Sequence, residues 1–210
     1  MPTQSVRFSL LLCLAALLCQ GAAPQQSEFI GDAVYVNCEY RVAANFSGEP
    51  MFRDLQYRDG ARTAPARQFY LERDKVFLSV TVVHFAAGPE KDPAVVDRAS
   101  AALRNKGQIR NEMNVWYDEP VLGGRVFNIA LSDGRVLRAS LYMVDHRLYI
   151  TESISDGNDF QALLFSESVS LIKEDGTDND SNPIGLASDA PGTSAGLPAR
   201  RYDCSRLNRR

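Results

Sequence analysis

Residues able to do chemistry are sparse in this chain, and their positions set the first expectations. Two histidines occur among 210 residues, His84 and His146. His146 sits between Asp145 and Arg147, so three polar groups share one short segment. That segment is where a hydrolase-type acid–base site could be sought. The plainer reading makes His146 a polar turn tip and His84 a strand residue. Glu72, Asp118, Glu119, Glu152 and Asp156 are scattered and read as solubilising charge at strand ends and loops. Zinc takes three or four His, Cys or carboxylate ligands at close spacing, and no such cluster is expected. No nucleophile elbow of the G-x-S-x-G kind and no phosphate-cradling glycine loop is expected either. Asp178-Asn179-Asp180-Ser181-Asn182 opens like a calcium loop, but Pro183 stands where glycine belongs and Asp189 where the closing glutamate belongs. The expectation is a chain with no metal, cofactor or catalytic residue, and a hydrolase around His146 is the alternative.

The four cysteines divide by position. Cys13 and Cys19 lie in a leader whose apolar run, Phe8 to Leu18, follows Arg7 and precedes the small residues Gly21-Ala22-Ala23. That is signal-peptide patterning. The run is too short for a transmembrane helix, which needs about 20 residues. Residues 1–23 are therefore read as a cleaved leader, and the mature protein as periplasmic or secreted. Cys38 and Cys204 remain, and an oxidising compartment favours pairing them. Two free thiols, one in the core and one in the tail, are the alternative. The formal charge of −3 gives no basic footprint for nucleic acid.

Periodicity places the elements. Ala33 to Val42 alternates, with Val34, Val36, Cys38 and Tyr40 on one face of a predicted strand. Phe52 to Tyr57 is a second, and Arg58 to Arg67 reads as a loop. Gln68 to Phe85 is the strongest β region, turning at Glu72 to Lys75. Asp92-Pro93 opens a helix, which Gly107 is expected to close as an αL cap. Strands follow at Asn111 to Tyr117, after a Gly123-Gly124 turn at Arg125 to Leu131, and at Val136 to Val144. Asp145-His146 turns the chain into Arg147 to Glu152. A second helix starts at Phe160. These elements predict one α+β domain over 33–172, a single antiparallel sheet with two helices packed on it. From Lys173 to Arg210 the composition shifts to Asp, Asn, Gly, Ser and Pro, which predicts a flexible tail with a basic end.

Phe46 to Pro50 (FSGEP), Gly124 to Phe127 (GRVF), Asp133-Gly134, Arg138 to Tyr149 (RASLYMVDHRLY) and Phe165 to Leu171 (FSESVSL) resemble small exported bacterial proteins with the PsbP-like layout. The element order is similar to that α/β/α sandwich. The resemblance implies a fold and assigns no residue a role. Bottom-up, Arg138, Tyr142, Arg147 and Tyr149 read as cross-strand pairs that fix hairpin register. The functional expectation is a non-catalytic envelope domain whose partner is another protein or a small ligand.

Overall fold

The computed structural model describes residues 27–30, 34–60, 62–86, 92–117, 122–173, 176, 202 and 204, the backbone alone at 27–30, 116–117 and 122–123. The predicted leader and most of the predicted tail, including the calcium-like segment, lie outside these residues.

Eleven strands and two helices are described. Seven strands form one antiparallel sheet: β4 (Met51–Asp59), β5 (Arg62–Arg73), β6 (Val76–His84), β7 (Gln108–Tyr117), β8 (Leu122–Ala130), β9 (Val136–Val144) and β10 (Arg147–Ser155), in the order β4-β5-β6-β10-β9-β8-β7. The remaining four, β1 (Ser27–Ile30), β2 (Val34–Asn37), β3 (Val42–Ala44) and β11 (Ser170–Leu171), form a smaller second sheet. The class is α+β and mainly antiparallel, but the single sheet expected from the sequence is corrected to two.

The split has a local cause. The predicted strand 33–42 breaks at Cys38, where Asn37 Oδ1 accepts the Tyr40 N–H at 3.0 Å and Arg41 turns left-handed at φ 54. The chain folds back and β2 pairs with β3. This removes β2 from the large sheet and places the turn 38–41 over its rim.

Strand alternation in the large sheet sends side chains to two cores. On one face Phe69, Leu78, Val80, Val82, Tyr142 and Tyr149 meet Tyr35, Val42 and Phe46 of the small-sheet segment and Phe165 of α2 (Phe160–Ser168). On the other, Val83, Phe127, Leu137, Leu141 and Leu148 pack under Val95, Ala99 and Leu103 of α1 (Pro93–Arg104). The helices therefore cover opposite faces of the sheet. Asp92 caps α1 by accepting the Ala94 N–H at 3.0 Å. Arg98 of α1 and Arg62 of β5 both pair with the buried Asp59, which anchors α1 to the end of β4.

Three local expectations are corrected. Arg58 to Arg67 is a hairpin and not a loop, because Pro65 lies outside the β5–β6 ladder, which begins at Ala66, and costs no hydrogen bond there. Gly123-Gly124 belongs to β8: a Cβ on Gly124 would stand 2.4 Å from the Tyr142 ring. Gly107 has no positive φ; it is needed because a Cβ would stand 2.2 Å from the Ala130 carbonyl oxygen.

Candidate binding cleft

One end of the sheet carries an open cleft of about 350 Å³, lined by Glu39, Tyr40, Asp54, Gln56, Arg67, His84 and Arg147 with the apolar Leu55, Pro65 and Val82. Its floor is the large sheet, and its wall is the turn 38–41.

The wall is fixed at several points. Tyr149, on β10, donates its hydroxyl to the Tyr40 carbonyl at 3.2 Å. Arg41 pairs with Asp145 at 2.7 Å, joining the wall to the β9–β10 turn. That turn is a tight two-residue hairpin, with Asp145 at φ 49 and His146 at φ 60, the positive values such hairpins require. The Phe85 N–H donates to the His146 carbonyl at 2.9 Å. Tyr40 also packs edge-on against Phe69 of the core, with ring centroids 5.3 Å apart.

The cationic groups of the cleft are in different states. Arg67 donates twice to Asp54, at 2.7 and 3.1 Å. Its guanidinium lies 5.0 Å from the Tyr40 ring and 5.0 Å from the Phe52 ring. Hydrogen bonding from Arg67 holds the Asp54 carboxyl below its ordinary range. Arg147 has no carboxylate partner among the described residues, and its Nη1 is enclosed without a hydrogen bond. His84 stands directly across from it. Desolvation, then the charges of Arg147 and His146, push the His84 imidazole below its usual value. Burial raises the Tyr149 hydroxyl, an effect opposed by Arg147.

The expected Asp145-His146-Arg147 cluster is not assembled as an acid–base site. Asp145 is taken by Arg41, and His146 Nδ1 is buried without a partner. Among the described residues no serine, threonine or cysteine lines the cleft. The sequence does contain a G-x-S-x-G pattern, Gly192-Thr193-Ser194-Ala195-Gly196, which corrects the expectation that it has none. The pattern works at a strand-to-helix turn; here it falls in the polar, small-residue stretch outside the described residues. Among the described residues no group of three or more His, Cys, Asp or Glu side chains gathers as a metal site, and no helix is long and apolar enough to cross a membrane.

The structure pairs Cys38 with Cys204, Cα atoms 5.5 Å apart. Cys204 and Tyr202 are buried against Val36, Ala43 and Ile172, and the Tyr202 N–H donates to the Gly176 carbonyl at 2.8 Å. Cys38 directly precedes Glu39 and Tyr40, so the bond fastens the chain's far end behind the cleft wall. Of the four residues expected to form cross-strand pairs, Tyr142 and Tyr149 do so directly, whereas Arg138 faces Ser153 and Arg147 faces Val144 and His84. Sequence reasoning missed the cleft itself: its polar residues come from a turn and four strands, 39 to 147, with no motif spacing.

A scan against protein-family models finds no match, and a search of curated proteins finds no similar chain.

Proposed function

We propose that this chain is an exported, non-catalytic domain that takes a small ligand into the cleft beside the turn 38–41. The observation that carries the reading is the juxtaposition of His84 and Arg147 on the floor of a cavity large enough for a metabolite. Ligand pockets run from about 300 to 1,000 Å³ and combine apolar walls with a few convergent polar groups. This cleft has both. A lining without serine, threonine or cysteine among the described residues, with Asp145 committed to Arg41, favours binding over hydrolysis at His146. Export to the periplasm or beyond is supported by the leader pattern of residues 1–23 and by the Cys38–Cys204 pair. A PsbP-like sandwich is the fold we assign within the α+β class; a helix on each face of an antiparallel sheet supports it.

The test is to equilibrate the disulfide-bonded protein with a small-molecule extract and identify retained compounds by mass spectrometry. Gln56→Trp, an exposed lining position, serves as the filled-cleft control. Specific retention lost in Gln56→Trp is expected. Equal retention by both proteins, or none by either, overturns the reading.

A further inference from the structure

We infer that the ligand of this cleft is an organic monocarboxylate, held at its charged end by Arg147 beside His84. This rests on the cleft being a ligand site and names what fills it.

The argument is one of charge left unmatched. Of the arginines around the cleft, Arg67 is saturated by Asp54, and Arg41 is engaged by Asp145. Arg147 alone lines the cavity without a carboxylate partner among the described residues. Its neighbours aggravate the imbalance. His84 stands opposite it on β6, and both Arg147 and His146 disfavour a charge on His84. A half-buried guanidinium directly opposite an imidazole, with no carboxylate partner among the described residues, is well placed to receive an anion. A planar guanidinium matches a carboxylate with two parallel N–H···O bonds.

The remaining groups define the rest of the ligand. Glu39 and Asp54 face the same space, so with His84 neutral the formal charges of the lining cancel and a dianion such as phosphate is disfavoured. Tyr40, Pro65 and Val82 offer an apolar wall that an inorganic ion leaves unused. Tyr149, behind the wall, is buried, and its hydroxyl donates to the Tyr40 carbonyl, which fixes the wall beside Arg147.

The experiment compares matched acids and amides on the disulfide-bonded full chain: phenylacetate against phenylacetamide and butanoate against butanamide, with inorganic phosphate as a third arm, titrated by calorimetry at pH 7. The acids are expected to bind at least about tenfold more tightly than the amides, and Arg147→Met to erase the preference. If Arg147→Met fails to fold, the acid-to-amide ratio in the unaltered protein decides, with Arg147→Lys as the second variant, expected to keep part of the preference. Equal binding of acid and amide refutes the carboxylate and leaves the cleft a ligand site. Tighter binding of phosphate than of either acid also refutes it. No binding by any probe overturns both readings.

Discussion

His84 and Arg147 stand directly opposite each other on adjacent antiparallel strands, β6 and β10, with both side chains on the sheet face that carries the small second sheet. The pairing puts a guanidinium against an imidazole, where an opposite charge is the usual cross-strand choice. Desolvation first, and then the charges of Arg147 and His146, hold the imidazole below its ordinary pKa of 6.5.

That shift fixes a sign. The native protein takes up a proton at His84 at lower pH than the unfolded chain does. Its contribution to stability is therefore full above about pH 6.5 and declines as pH falls through the lower native value. His84→Gln should flatten this part of the profile. Unfolding midpoints measured from pH 8 to pH 5 check it, and identical profiles for the two proteins contradict it. A bound carboxylate reverses the electrostatics at His84, so acid affinity should rise over the same fall in pH.

Asp54 holds Arg67 through two hydrogen bonds on an exposed part of β4. Asp54→Asn removes the carboxylate charge and leaves Arg67 a second cation in the cleft. The stability cost of an exposed pair is small, under about 1 kcal/mol, while affinity for phenylacetate should increase. Isotherms for the two proteins decide the point, and unchanged or weaker binding of the variant counts against the charge account.

The Cys38–Cys204 bond spans 166 residues. The chain-entropy model assigns a loop of that length about 5 kcal/mol, and measured losses are commonly smaller. Cys38→Ser/Cys204→Ser should lower the unfolding midpoint. It should also weaken ligand binding, because Cys38 adjoins the Glu39-Tyr40 wall. Retained affinity in the double variant would separate the disulfide from the cleft.

Ser153 is fully buried on β10, yet its hydroxyl has no hydrogen-bond partner. Across from it are Arg138 and then Asn128, each with one enclosed polar atom also unpaired. An unmade buried hydrogen bond costs about 1–3 kcal/mol. Ser153→Ala should therefore be neutral or stabilising, against the usual trend for core changes. Denaturant titration checks this; a loss above about 1 kcal/mol would show that the hydroxyl is satisfied in solution, for instance by an ordered water.

The strands of the large sheet were legible because their residues alternate or are β-branched, as in Val76 to His84 and Val136 to Val144. The start of α1 was legible through its cap, Asp92, and the start of α2 falls at the expected Phe160, where Asp159 accepts the Ala162 N–H. Two things were not. The break at Cys38 hides behind perfect alternation from Val34 to Tyr40, because the deciding event is an Asn37 side-chain bond to the Tyr40 backbone. Pro65 and the glycine pair 123–124 suggested a loop and a turn, since single-residue propensity does not register which ladder is paired or how near Tyr142 comes. The cleft was illegible for a related reason: Tyr40, Arg67, His84 and Arg147 meet through strand register, which spacing along the chain does not encode.

The most direct measurement is a two-dimensional ¹H–¹⁵N NMR titration of the disulfide-bonded protein with phenylacetate. The predicted result is saturable shifts concentrated at residues 39–40, 54–56, 65–67, 82–84 and 147, with quiet signals on α1 and at Leu137, Ala139 and Leu141 on the opposite face. Saturable shifts centred elsewhere, or none at concentrations up to the millimolar range, would contradict the assignment of this cleft as the binding site.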